Sequence, residues 1–154
     1  MLSTTRIIAA TLFFTALAHQ ACADMNSLNI TQAGTGNNTS VAQQGDDNLL
    51  KAVQSGDYNT LSASQSGNNN NAFATQTGNY NHSTVTQSGN ANYASIAQTG
   101  NNNTSFVQQT GNNNTSTTVQ NGNNDSITQT QSGNNLVSHI MQSGNNMSIT
   151  IHQH

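Results

Sequence analysis

From residue 26 onward, apolar side chains occupy every second position of short segments, and the segments themselves recur every 11 residues. Each segment runs from an Asn to a Gln and is followed by four small polar residues that include a Gly. Counted from that Gly, the fifth position reads Leu50, Leu61, Ala72, Ala94, Ile127 and Ile149 among small polar residues. The seventh reads Val41, Ala52, Ala63, Ala74, Val85, Ile96, Val107, Ile140 and Ile151. The intervening sixth position is mostly Ser, Thr, Lys51 or His139, with Phe73 and Phe106 as apolar exceptions. Period-two alternation in segments rich in Ser, Thr, Val and Ile predicts half-buried β-strands.

The period is strict. Glycines fall at Gly34, Gly45, Gly56, Gly67, Gly78, Gly89, Gly100, Gly111, Gly122, Gly133 and Gly144, and only Gly36 is out of phase. Two residues before each comes a glutamine: Gln32, Gln43, Gln54, Gln65, Gln76, Gln87, Gln98, Gln109, Gln120, Gln131 and Gln142, with Gln153 continuing the series. Three residues after each Gly comes Asn37, Asn48, Asn59, Asn70, Asn81, Asn92, Asn103 or Asn114. The last three repeats place Asp125, Leu136 and Met147 there instead. A fixed short period means a stacked repeat architecture. Gly and Asn between strands suit tight turns that need positive φ.

One strand and one turn enclose nothing, whereas two strands folded over each other do. The expected fold is therefore all-β. It is a two-sheet β-solenoid of about six 22-residue coils with two strands per coil. Strands starting at 26, 48, 70, 92, 114 and 136 should form one sheet; those starting at 37, 59, 81, 103, 125 and 147 should form the other. Asn, the two apolar positions and Gln should point inward. Identical amides would then stack into ladders, satisfying polar groups that would otherwise cost about 1–3 kcal/mol each when buried. Six coils at about 4.8 Å give a rod about 29 Å long.

Composition explains why amides must do this work. Only 5% of residues are charged and 32% are hydrophobic, with no Pro, no Trp and one Cys. Ordinary domains hold about 25% charged and 45–50% apolar residues, so an enzyme with a large aliphatic core is disfavoured. Two Lys+Arg in 154 residues also exclude a nucleic-acid binder, which needs clustered cations. No Ser/His/Asp or paired-carboxylate constellation stands out, so no catalytic residue, cofactor or metal is assigned.

The N-terminus has a different character. Arg6, an apolar run from Ile7 to Ala18, and Ala21-Cys22-Ala23 together predict a secretory signal peptide over residues 1–23. The run is too short for a membrane-spanning helix. Cleavage after Ala23 leaves 24–154 as one repeat domain without cysteine and without a membrane insertion. Cys22 raises the alternative of a lipidated N-terminus, against which stands His19 where an aliphatic residue is wanted.

A stacked β-rod needs caps, because its end strands present unpaired N–H and C=O groups. None is visible, and neither edge is blunted by Pro or by charge. Low charge, strand propensity and absence of Pro are the signature of amyloid. The expectation is a subunit that stacks end to end into a cross-β fibre.

The unit N-x-φ-x-φ-x-Q-x-G-x-x-N, as in Asn59–Asn70 (NTLSASQSGNNN) and Asn81–Asn92 (NHSTVTQSGNAN), resembles the curlin repeat of bacterial curli subunits. The resemblance covers essentially the whole of 24–154. It implies an amyloid subunit exported through an outer-membrane channel with accessory factors. It implies assembly with itself and with another curlin into surface fibres (fimbriae) for adhesion and biofilm matrix. Two features depart from the major curlin: there is no Gly/Asn-rich leader before the first strand, and six coils stand where five are usual. The start, QAGTGNNTSVAQQG, is somewhat like the minor, nucleating curlin, but no Lys or Arg follows Lys51. The major, fibre-forming subunit is the favoured reading and the minor nucleator the alternative.

Asp46, Asp47 and Asp57 lie in adjacent turns and, with Asp125, are candidate gatekeepers against aggregation; weak Ca²⁺ binding is the other reading of the turn acids. His139, His152 and His154 near the C-terminus read as surface decoration before a metal site. In the fifth coil, residues 114–135, the inward positions include Ser116, Thr118, Asp125 and Gln129. A charge buried at Asp125 is costly, so this coil should be the weakest and the most sensitive to acidity. Thr84/Thr86, Thr115/Thr117 and Thr128/Thr130 evoke the Thr-x-Thr rows of ice-binding solenoids, but Ser62, Phe106, His139 and Met141 interrupt them.

Overall fold

The structure is a computed structural model that describes residues 25–154 and the two-residue strand β1 (Arg6–Ile7). The expected signal-peptide cleavage after Ala23 and the role of Cys22 lie outside the described residues. β1 pairs parallel with β2, Arg6 opposite Thr31 and Ile7 opposite Gln32. It thus lies along part of an edge that the sequence pattern leaves open.

Twelve further strands follow at the 11-residue step. One sheet, which we call A, holds β2 (Ser27–Ala33), β4 (Leu49–Ser55), β6 (Asn71–Thr77), β8 (Tyr93–Thr99), β10 (Thr115–Asn123) and β12 (Val137–Asn145). Sheet B holds β3 (Asn38–Gln44), β5 (Thr60–Ser66), β7 (His82–Asn90), β9 (Thr104–Asn112), β11 (Ser126–Asn134) and β13 (Ser148–Gln153). Neighbours within each sheet are parallel and offset by 22 residues without slippage, for example Gln54 opposite Gln76 and Gln65 opposite Gln87. The expected six-coil, two-sheet solenoid is the fold observed. A one-residue slip would turn every inward side chain outward, so a strict sequence period and a strict register are the same constraint.

The interior is thin and mostly amide. Leu50, Leu61, Ile96 and Ile127 are its largest buried aliphatics, and the buried glutamines are as numerous as any apolar type. The continuous apolar core runs from Leu28 and Ile30 through Leu50 and Leu61 to Ile96 and Val107. It stops at the fifth coil, where Ser116, Thr118 and Gln129 fill the inward positions.

The turns explain the glycine period. At each turn the residue two after the Gly is left-handed: Tyr58, Asn69, Tyr80 and Asn102 all have φ of 57–58°. Gly36, out of phase in the sequence, belongs to this column with φ 70°. A Cβ there would lie 2.6 Å from the Tyr58 ring, which covers it. Tyr58 in turn stacks on Tyr80, ring centroids 5.2 Å apart and 7° from parallel. At the periodic glycines the constraint is backbone against backbone: a Cβ on Gly100 would sit 1.8 Å from the Gly122 carbonyl oxygen one coil on.

Candidate functional site

In a solenoid the functional element is whatever joins one coil to the next, and here that is a set of side-chain ladders. Two are built of glutamine. In sheet A, Gln32 donates from Nε2 to Oε1 of Gln54, and the relay continues through Gln76, Gln98 and Gln120 to Gln142. In sheet B it runs from Gln43 through Gln65, Gln87, Gln109 and Gln131 to Gln153. The spacings are 2.5–3.2 Å. The second amide proton crosses the rod: Gln65 donates to the Leu49 carbonyl and Gln98 to that of His82, both 3.1 Å. Each Gln therefore holds its own sheet along the axis and ties it to the opposite sheet.

Asparagine works differently from the expected amide-to-amide stack. Each Asn offers Oδ1 to the backbone N–H one coil on, as Asn59 does for Asn81 and Asn81 for Asn103, at 3.0 and 3.1 Å. Its Nδ2 donates to a turn carbonyl on the next coil: Asn37 to Gly56, Asn59 to Gly78, Asn81 to Gly100 and Asn103 to Gly122. Direct Asn-to-Asn contacts are present only as supplements, such as Asn70 Nδ2 to Asn48 Oδ1 at 3.1 Å. The physical reason is reach. The shorter side chain, at the strand entrance, finds backbone groups of the adjoining turn before it finds its own kind.

A third ladder was not singled out in the sequence. From Asp57 onward, the residue directly after the Gly accepts, through Oδ1, the backbone N–H of the turn 22 residues earlier: Asn79 from Asp57, Asn101 from Asn79, Asn123 from Asn101. Asn90, Asn112, Asn134 and Asn145 do the same in their columns. The repeated Gly-Asn dipeptide carried this signal, but in one repeat it reads only as turn chemistry. Asp57 is a member of this ladder: its Oδ1 accepts the Thr35 N–H at 2.8 Å. Asp46 occupies the same position and donates its N–H to Asn68 Oδ1 at 3.0 Å, while Asp47 sits in the left-handed column with φ 55°.

Asp125 takes the inward Asn position and is 1% exposed. Its N–H donates to Asn103 Oδ1 at 3.1 Å, and its own Oδ1 accepts the Met147 N–H at 2.9 Å. Its Oδ2 has no partner, because a carboxylate cannot donate to a turn carbonyl as Asn does. Gln129 in the same coil receives Ser116 Oγ and Thr118 Oγ on Oε1, while its Nε2 is also unpartnered. Among the described residues, two of the three buried unpartnered side-chain atoms thus lie in the fifth coil; the third is Ser105 Oγ.

The ends differ from the middle. Leu136 and Met147 accept nothing into their side chains, so the inward Asn column passes its last bonds to their backbone N–H groups and ends there. Leu28, Ile30 and Val41 are only partly buried at one end, as are Ile149 and Ile151 at the other. Among the described residues no group of three or more His, Cys, Asp or Glu is placed to hold a metal ion. The outward Thr columns do not align, since Phe106 lies between Thr84 and Thr128.

Parallel coils locked by amide ladders, with a repeat that never varies in length, define a β-solenoid repeat protein of the structural, stacking kind. The chain belongs to the curlin family. The family model of the curlin associated repeat matches three consecutive stretches, residues 24–56, 56–89 and 89–122. Curlin repeats are those of curli-type subunits, a structural family. No curated protein and no solved structure matches the chain.

Proposed function

We propose that this chain is the major structural subunit of an extracellular curli-type amyloid fibre. It is exported, stacks end to end, and serves cell-surface adhesion and biofilm matrix. The observation that carries the reading is the polarity of the glutamine ladders. Every Gln donates toward the next coil, so a rod ends in Gln142 and Gln153 amides with a proton to give. It begins with Gln32 and Gln43, whose Oε1 atoms take no hydrogen bond from an earlier coil among the described residues.

Continuing the 22-residue step across a junction puts Gln142 over Gln32 and Gln153 over Gln43 of the following molecule. The same step sets Ile140 on Ile30 and Ile151 on Val41, so apolar positions meet apolar positions. Edge pairing of this kind is unopposed by charge, since the terminal strands β2, β3, β12 and β13 contain no Asp, Glu, Lys or Arg. X-ray diffraction from aligned fibres of the chain from Asp24 on should show spacings near 4.7 and 10 Å. A monomer that stays soluble for days at high concentration would sink the proposal. The minor, nucleating role is the second outcome of a seeding test. A nucleator accelerates another curlin at substoichiometric amounts and polymerises poorly alone, whereas a major subunit polymerises by itself.

A further inference from the structure

The two outer faces of the rod are chemically unlike. On sheet A, one column of outward residues runs Thr31, Val53, Thr75, Ala97, Val119, Met141, each opposite the next. A second column alternates polar and apolar residues: Ser27, Leu49, Asn71, Tyr93, Thr115 and Val137. Between the two columns lie Asn29, Lys51, Phe73, Ser95, Thr117 and His139, of which Phe73 packs on Tyr93, ring centroids 5.6 Å apart. Val137 and Met141 are each 67% exposed. The corresponding columns of sheet B are polar apart from Ala42: Ala42, Ser64, Thr86, Gln108, Thr130 and His152 in one, and Asn38, Thr60, His82, Thr104, Ser126 and Ser148 in the other. The outward apolar side chains of the rod are therefore concentrated on sheet A, whereas sheet B has only Ala42 and Phe106 among its outward strand positions.

We infer that the outward face of sheet A is the contact surface between two rods, so that the fibre is a pair with sheet A against sheet A. This inference rests on end-to-end stacking, which continues these columns along the whole fibre. A seven-residue strand spans about 23 Å and six strands about 29 Å, giving a footprint near 650 Å² per face. Two such faces cover about 1,300 Å² per pair of subunits, within the range of specific interfaces. The occupant is a second copy because only another rod presents the same 4.8 Å strand repeat over unlimited length, the requirement for a dry sheet-to-sheet contact. Each contact is modest, and its repetition along the fibre makes it cumulative. With one apolar face per rod the arrangement closes at two. Lys51 stands between the apolar columns, opposite Asn29 and Phe73 in its own sheet. Its charge disfavours apposition with its own counterpart, so the rods are staggered along the axis, with the lysine stem lying across apolar surface.

Mass per length, measured on unstained fibres by scanning transmission electron microscopy, tests this directly. The chain from Asp24 on should give two chains per about 29 Å of fibre. The variant Val53→Thr/Ala97→Ser/Val119→Thr/Met141→Thr removes the more continuous apolar column of sheet A while keeping strand-forming residues. It should show a twofold drop to one chain per rod length, with the 4.7 Å reflection retained. Phe106→Thr, on sheet B, should leave the pair intact. Single rods from the unmodified chain, bundles of more than two, or pairs that survive the four substitutions would each overturn the pairing while leaving stacking untouched. Loss of the 4.7 Å reflection from the unmodified chain would instead overturn stacking and pairing together. The unmodified chain's value decides the question even if the variant fails to assemble.

Discussion

Asp125→Asn isolates a single atom. In the present chain the Asp125 carboxylate keeps one ladder bond, to the Met147 N–H at 2.9 Å, and leaves Oδ2 buried without a partner. Nine asparagines at the equivalent positions donate to a turn carbonyl at 2.7–2.9 Å. For residue 125 the equivalent acceptor is the Gly144 carbonyl, 19 residues on as in every other pair. The substitution keeps Oδ1 and its bond, supplies the missing donor, and removes a buried orphan acceptor. A net hydrogen bond contributes about 1 kcal/mol and a stranded buried polar atom costs about 1–3 kcal/mol. Allowing for overlap between the two, the gain is about 2 kcal/mol, or roughly 30-fold in the equilibrium for closing the fifth coil. The assay is polymerisation followed by an amyloid dye at equal concentration and neutral pH, with fibre dissolution in denaturant as a second readout. The lag should shorten several-fold and the dissolution midpoint rise. Asp57→Asn is the matched control: its Oδ1 already fills the ladder role in an exposed turn, so the same chemical change should move either readout by less than a quarter as much. Equal effects at the two sites, or an unchanged lag for Asp125→Asn, would refute the reasoning.

Three further substitutions test the rest of the scaffold. Gly100→Ala should abolish fibre formation and β-sheet circular dichroism, since its Cβ would fall 1.8 Å from the Gly122 carbonyl oxygen at a φ of 114°. Gln98→Ala removes ladder bonds to Gln76 and Gln120 and the crossing bond to His82. It should lower the denaturant midpoint of fibre dissolution by the equivalent of about 2–4 kcal/mol, with Gln153→Ala at the chain end costing clearly less. Ser105→Ala removes a buried hydroxyl that has no partner. Since Ala72 and Ala94 already fill the same inward position in other coils, stability should be unchanged or rise by about 1 kcal/mol, read from the same dissolution curves.

Period and alternation carry most of the fold because in a solenoid the local pattern is also the tertiary contact. Residue 54 touches residue 76 for the same reason that residue 65 touches residue 87, so reading one repeat reads them all. What the pattern conceals is the choice of partner within a column. Asn81 is as inward as the repeat implies, but its amide goes to the Gly100 carbonyl, a group that no side-chain alphabet displays. The turn ladder at Asn79, Asn101 and Asn123 stayed hidden because Gly-Asn has a sufficient local explanation as a turn. Gly36 looked out of phase because only the periodic glycines were counted; its column is otherwise filled by Asn, Tyr, Asp and Ala with the same left-handed backbone. The contrast between the two outer faces emerges only when outward positions are sorted by alternate segments, since Val53 and Thr86 are otherwise equivalent outward residues.

The Gln ladders and the Oδ1 bonds of the inward Asn column run in opposite senses, and this gives the rod its polarity. Gln side chains give protons toward the C-terminal coil, as Gln76 does to Gln98, whereas the inward Asn column takes protons from it, as Asn59 Oδ1 does from the Asn81 N–H. A coil inserted upside down would oppose donor to donor in the Gln ladders and acceptor to acceptor at the Asn Oδ1 atoms, so coils add in one orientation only. At a junction between molecules the two ladders would fare unequally. Gln142 and Gln153 retain amides that continue their ladders, but Leu136 and Met147 offer no Oδ1 to the Asn26 and Asn37 N–H groups of the molecule beyond. The junction would therefore be held by glutamine, by backbone pairing and by the Ile140 and Ile151 contacts, without the inward Asn bonds present at most steps within the molecule. It follows that a fibre of this chain is weakest between molecules. Its length under strain is then set by the chemistry of the last coil, not by the repeat that builds the others.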